Sequence, residues 1–369
     1  MSARRSSSAA WLALGYAALV VYASLYPFGP WAWPAGMPWQ QLFRLPWPRY
    51  WIQFDIWANA VGYLPLGLLL FVAVWRAGRP RVLAFLLGAF SCAALAYALE
   101  VTQYFVDKRV PSLGDWVLNS GGGLLGALLG LLLVGLGVLE RGARWRERWF
   151  LSQGGAGLAL LALWPLGLLF PPPLPLAQGQ FLPALLASAA ELLQDTPWAA
   201  GLPVLTGSRP SGLLAGSVTG LGLLAPCLLM LALTRQGWHR VALVFGALAV
   251  GVGMTSVSAA LGFGPQQAWS WPTPSTLPGL LTGTALALLC ALLPARVNAV
   301  LALPVFTALL VLVNGLAPDV YWQQSLLIWE QGAMVKLYGL TQWLGWWWPL
   351  LGLGWCMARV TASLESRAL

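Results

Sequence analysis

Ten apolar runs follow one another along this chain, each close to the roughly 20 residues that cross a bilayer. They lie at about 10–27, 54–75, 82–106, 115–138, 154–170, 212–234, 240–262, 277–294, 296–316 and 337–358. A segment in hydrocarbon must satisfy its own backbone N–H and C=O groups, so each run reads as a helix. The expected fold class is all-α, a polytopic membrane protein of about ten transmembrane helices. Charge agrees: Asp, Glu, Lys and Arg make up 8% of the 369 residues, against about 25% in a soluble domain.

The basic residues orient this array. With both termini cytoplasmic, fourteen Lys and Arg fall on the cytoplasmic side, among them Arg76, Arg79, Arg81, Arg141, Arg144, Arg146, Arg148, Arg235 and Arg240. Six (Arg44, Arg49, Lys108, Arg109, Arg209 and Lys336) fall outside, as the positive-inside rule requires. The net charge of +9 therefore serves topology, and nucleic acid is not an expected partner. MSARRSSSAA leads into an uncleaved first span. Cys92, Cys227, Cys290 and Cys356 lie in apolar runs without CxxC spacing and read as small buried hydrophobes.

Two domains are expected, a four-helix membrane domain over 1–150 and a six-helix membrane domain over 151–369. The second reads as a degenerate, parallel repeat of the first, because Arg76-Ala-Gly-Arg-Pro-Arg-Val matches Arg235-Gln-Gly-Trp-His-Arg-Val. Residues near Ser258, Leu261 and Thr276 then replace the polar Glu100, Gln103 and Asp115. His239, in the copied turn, reads as a solvated or interfacial side chain. Long outer loops at 28–53, 171–211 and 317–336 carry prolines and many tryptophans, including Trp31, Trp33, Trp39, Trp47, Trp51, Trp322 and Trp329. They read as an aromatic belt at headgroup level, or as short helices roofing a lateral opening for a lipid. The stretch 181–195, with Pro183 near its start, is the best candidate for such a helix.

Polar side chains inside the first domain mark the candidate site, since ionisable and amide groups at membrane depth are costly. Asp55 and Asn59 share a helix face with Tyr63 one turn on. Glu100 and Gln103 lie three apart, beside Tyr97 and Tyr104, and Asp115 and Asn119 repeat the four-residue spacing. In the expected topology all six fall in one slab near the outer face. Structural roles compete with chemical ones. Ser112-Leu-Gly-Asp115 is a capping box, the amides could be interhelical glue, and Arg109 could neutralise Glu100. Gly122, Gly126 and Gly130 read as a close-packing stripe, and Pro65 frees a carbonyl near Asp55 and Asn59.

The ordered set Asp55, Asn59, Pro65-Leu66-Gly67, Glu100-x-x-Gln103, Arg109, Asp115-x-x-x-Asn119-x-x-Gly122 resembles the VanZ-like family of membrane proteins, over roughly residues 10–138. The family is named for an accessory protein that raises resistance to the glycopeptide teicoplanin. The resemblance implies a role at the bacterial cell envelope, in the cytoplasmic (inner) membrane, and points to the same polar positions. Six further spans depart from the family's short four-span form.

Two functions of different class fit these residues. In the first, the protein binds or remodels an anionic lipid-linked intermediate, a membrane lipid or lipid-linked saccharide. Lys108 and Arg109 would hold its phosphate, and Asn59, Gln103 and Asn119 would read its hydroxyls. In the second, an intramembrane hydrolase or phosphotransferase uses Asp55, Glu100 and Asp115 as catalytic groups. Those three could also hold Mg²⁺ or Ca²⁺, which favour hard oxygen ligands. A proton-coupled transporter with Glu100 as the carrier is a third reading.

Overall fold

The computed structural model describes residues 8–26, 28, 30–51, 53–106, 109–151, 155–203, 210–316 and 335–368. Regular structure among them is helical. The helices are α1 (Ser8–Leu25), α2 (Gln53–Arg76), α3 (Arg81–Gln103), α4 (Leu113–Gly135), α5 (Val138–Trp149) and α6 (Gly155–Gly167). They continue as α7 (Leu182–Leu193), α8 (Gly212–Leu233), α9 (His239–Phe263), α10 (Thr276–Ala291), α11 (Ala295–Asn314) and α12 (Val335–Ala368). Among the described residues six helices are long and apolar enough to cross a membrane, namely α2, α3, α4, α8, α9 and α11. Each of the ten apolar runs holds a helix, but α1, α6 and α10 are shorter apolar helices, and α12 is not among the six.

The chain divides into two compact units, Met1–Trp145 and Arg146–Leu369. In the first, α2 and α4 run parallel with their backbones in contact, and glycine is what permits it. A Cβ on Gly122 would lie 2.1 Å from the Ala60 carbonyl oxygen, and one on Gly126 2.0 Å from that of Leu64. On the other side of α4, a Cβ on Gly123 would meet the Cys92 Cβ of α3 at 2.3 Å. The glycine stripe is therefore a packing surface, as its spacing predicts. α2 continues through Pro65, and the Tyr16 hydroxyl of α1 donates to the Gly62 carbonyl at 2.9 Å, beside the break. Gly137, at φ 67°, turns the chain between α4 and α5. The basic segment after α4, expected only as a turn, is itself helical.

In the second unit α8 is buried along nearly its whole length. α10 lies parallel to it through glycines: a Cβ on Gly279 would be 2.4 Å from the Gly216 carbonyl oxygen, and one on Gly283 2.6 Å from that of Gly220. The close parallel pair thus occurs in both units, while the middle helix is seated differently. α3 closes on α4, whereas α9 and α10 leave a gap of about 590 Å³ lined by Phe245, Leu248, Val252, Leu277, Leu281 and Leu288.

One expectation for this unit is corrected, and two others gain detail. His239 is buried rather than solvated. Backbone bonds from Leu151 N–H to the Leu233 carbonyl (2.9 Å) and from Arg235 N–H to that of Trp149 (2.8 Å) bring the Trp149 ring over it. The rings stack at 5.0 Å. Arg240, counted above among the cytoplasmic charges, is 1% exposed and donates to the carbonyls of Leu231, Thr234, Arg235, Ala291 and Leu293. These are carbonyls at the ends of α8 and α10, where helices leave acceptors without intrahelical donors. The proline-rich loop after residue 170 is partly packed into the unit. Leu176, Ala177, Gln178 and Gln180 are buried, fastened by Asn314, which donates to the Gly179 carbonyl and accepts from the Leu182 N–H, both at 2.8 Å.

The stretch expected at 181–195 is helical as α7, with Pro183 in its first turn and no buried residue. The loop at 317–336, with Trp322 and Trp329, lies outside the described residues apart from Val335 and Lys336, which open α12. The cysteines are unpaired thiols, three of them buried and Cys290 half-buried.

Candidate functional site

At one end of the first unit the last turn of α3, the start of α4, the last turn of α1 and the segment 30–51 meet. Ser112 precedes α4 in extended conformation, and its hydroxyl accepts the Asp115 N–H at 3.2 Å. That is the first half of the expected capping box. The Ser112 N–H itself is donated to Glu100 Oε2 at 2.7 Å. An acid from α3 thus serves the helix start that the local sequence pattern assigns to residue 115. Glu100 is 3% exposed, and a carboxylate so deep needs charge-assisted donors. The N–H groups and dipole at the start of α4 favour its negative charge.

Arg109 faces the other way. Its Nε donates to the Tyr26 carbonyl at 3.1 Å, and its Nη2 donates to the carbonyls of Ala23, at 3.3 Å, and Tyr26. Gln103 Nε2 donates to the Ser24 carbonyl at 3.2 Å. Two expected ligand-binding residues therefore hold the C-terminal end of α1. Burial pulls the Arg109 guanidinium below its ordinary value, and Glu100 opposes that shift. The expected pairing of Glu100 with Arg109 is thus an electrostatic relation, with the arginine's bonds from Nε and Nη2 going to backbone.

Behind these groups the interior between the helices is polar and incompletely satisfied. Asn119 is 5% exposed and Tyr63 4%. Asn119 Oδ1, the Tyr63 hydroxyl and Ser120 Oγ have no hydrogen-bond partner among the described residues. The Tyr63 hydroxyl lies within electrostatic reach of Glu100. Asn59 is half-buried on α2, one residue from the Ala60 carbonyl that Gly122 approaches. Buried polar atoms without partners are uncommon and costly, and these three sit close together along α2 and α4.

The segment 30–51 covers this end. The Tyr97 hydroxyl donates to the Phe43 carbonyl at 2.8 Å, that of Tyr104 to the Arg44 carbonyl at 2.7 Å, and the Leu113 N–H to the Pro46 carbonyl at 2.8 Å. Trp33 meets Phe105 edge-on at 5.4 Å. Burial, Glu100 and Tyr97 push the Tyr104 phenol up. Trp31, Trp33, Trp39, Trp47 and Trp51 remain 47–62% exposed, as in an interfacial belt with its polar edges in the headgroups.

Of the expected site residues, Glu100, Gln103, Arg109 and Asp115 are gathered around the α3–α4 turn, with Asn59 and Asn119 on the facing helices beneath. Lys108 lies outside the described residues, as does the side chain of Asp55. Among the described residues no group of three His, Cys, Asp or Glu is placed to share a metal ion. The Ser112 N–H and the α1 carbonyls carry no sequence signal. Tyr63 does, one turn beyond Asn59 on the polar face.

Residues 8–134 match the VanZ/LLP1 family. The VanZ-like region takes in all of α1 to α3 and nearly all of α4, so every residue placed above lies inside it. That match covers about a third of the chain, and the six long apolar helices among the described residues are those of a multi-pass, helical membrane protein. No curated protein and no solved structure matches it.

Proposed function

We propose that the VanZ-like unit binds or remodels an anionic lipid-linked intermediate of the bacterial cell envelope, at the outer face of the cytoplasmic membrane. The observation that carries this reading is the pair of unsatisfied buried acceptors and donors, Asn119 Oδ1 and the Tyr63 hydroxyl, under a roof of exposed tryptophans. A hydroxyl-bearing headgroup would complete them, and interfacial tryptophans suit a ligand with one apolar end. Arg109 makes no hydrogen bond through Nη1 to a described residue, which leaves that edge, with Lys108, for a phosphate oxygen. Gln103 and Asn59 border the headgroup. The wider topology proposed with it has ten spans and both termini cytoplasmic, and a link to glycopeptide resistance follows from the family name.

A second reading is a metal-dependent intramembrane hydrolase or phosphotransferase using Glu100, Asp115 and Asp55, with Mg²⁺ or Ca²⁺. The burial of Glu100 beside Tyr63 favours it, because a desolvated carboxyl is a candidate general acid or base. The test that separates the two is lipid turnover in vesicles with the wild type, Glu100→Gln and Asp115→Asn, with and without EDTA. Binding alone predicts retained lipid, no turnover and no effect of EDTA. Turnover that needs a divalent ion and is lost in both variants supports the enzyme.

A further inference from the structure

α5 begins three residues after α4 ends, beyond the Gly137 turn, and its residues are sorted by face. At 100° per residue, Leu139 and Glu140 point one way. Leu139 packs on the cluster of Phe71, Val72 and Ala127, and Glu140 is half-buried. The opposite arc carries Arg144, Arg148, Arg141, Trp145 and Val138 in that angular order, without an acid. All three arginines are exposed, and Trp145 and Val138 keep 48% and 39% of their surface. Glu147 and the exposed Arg146 lie on the back of the helix, off this arc. α2 and α4 run parallel, so the α2–α3 turn lies at the same end of the unit, and it adds the exposed Arg76, Arg79 and Arg81.

A topology signal needs positive charge on one side of the membrane, but it does not need the charge sorted on a helix. An aromatic residue flanked by arginines on one outward arc, with one acid at its edge and the other behind it, is the arrangement of a helix lying in the headgroup plane. We propose that α5 and the α2–α3 turn form a docking surface for the headgroups of anionic phospholipid. Trp145 and Val138 dip to the acyl boundary, and the arginines take the phosphates. The occupant follows from charge complementarity: the exposed Arg76, Arg79, Arg81, Arg141 and Arg144 lie at one end of a membrane unit, with Arg148 one turn further along the same arc of α5, and anionic lipid is the counter-charge present at that depth. This surface is separate from the polar site at the other end of α4 and does not rest on the function proposed for it.

The test is thermal unfolding of the full-length protein in detergent, with added phosphatidylglycerol or with phosphatidylcholine of the same chains. Phosphatidylglycerol should raise the melting temperature and phosphatidylcholine should not. The shift should vanish toward 1 M salt, where the screening length falls to about 3 Å. The R141Q/R144Q/R148Q variant should lose apparent affinity for phosphatidylglycerol on the order of a hundredfold, three charges each contributing several-fold. The corresponding triple Lys variant should keep most of it. An equal shift with both lipids, or one indifferent to salt, overturns the proposal on the wild type alone, whether or not the Gln variant folds. An unchanged affinity in a folded Gln variant overturns it too and leaves the arginines as topology signals only.

Discussion

Glu100 Oε2 accepts the Ser112 N–H at 2.7 Å, tying the end of α3 to the residue that starts α4. The relation gives Glu100 a structural role beside any chemical one. Removing the acceptor leaves a buried N–H unpaired, which costs about 1–3 kcal/mol. Glu100→Ala should therefore lower the melting temperature in detergent. Glu100→Gln keeps an oxygen in place and should stay folded with a smaller loss. Equal melting of both variants and wild type would show that the bond contributes nothing.

The glycine stripe yields a contrast within one helix. A methyl on Gly126 would sit 2.0 Å from the Leu64 carbonyl oxygen, while a Cβ on Gly121 meets nothing within 4 Å. Gly126→Ala should prevent α2 and α4 from closing and abolish a stable fold. Gly121→Ala should be neutral or stabilise by about 0.5–1 kcal/mol through helix propensity. Size-exclusion and melting profiles of the two variants check this.

Arg240 presents a second, independent case. Its guanidinium satisfies five carbonyls at the ends of α8 and α10, and lysine's single ammonium cannot reproduce that fork. Arg240→Ala should unfold the second unit, and Arg240→Lys should still lower the melting temperature. An Arg240→Lys protein as stable as wild type would mean that charge, not geometry, holds those ends.

The nearness of Glu100 and Asp115 to the α3–α4 turn, and of Asn59 and Asn119 to the α2–α4 contact, was legible because period and chemistry coincide: Asn59 and Tyr63 lie four residues apart on one helix, and Asp115 and Asn119 on another. The helical runs were legible for the reason that hydrocarbon leaves a segment few alternatives. What the sequence hid is long-range and made of backbone. Arg109 reads as an outer-loop cation, yet two of its nitrogens are taken by α1 carbonyls more than 80 residues away. His239 reads as a turn residue, and only the pairing of 149–151 with 233–235 buries it. Arg240 reads as a topology signal, and only the structure shows the helix ends that it serves. In each case the partner is an atom every residue has, so no side-chain pattern announces it.

Arg109 should combine both roles. Arg109→Lys keeps a charge but loses the bonds from Nε and Nη2 to Tyr26 and Ala23. It should loosen α1, seen as faster proteolysis near residue 28, while retaining part of the anionic-lipid binding. Arg109→Gln should lose both. Full retention of bound lipid in a folded Arg109→Gln protein would remove this residue from the site.

The central claim is that the unsatisfied interior of the VanZ-like unit is kept for a ligand, and Tyr63→Phe tests it most directly. The substitution removes one oxygen that has no hydrogen-bond partner among the described residues, so the delipidated protein should melt at the same temperature or higher. Mass spectrometry of lipids retained on the purified wild type should find a phosphate-bearing, hydroxyl-rich species. The Tyr63→Phe protein should retain several-fold less of it, the worth of about one hydrogen bond. Equal retention by a folded Tyr63→Phe protein, or a lower melting temperature with no change in lipid, would contradict the account.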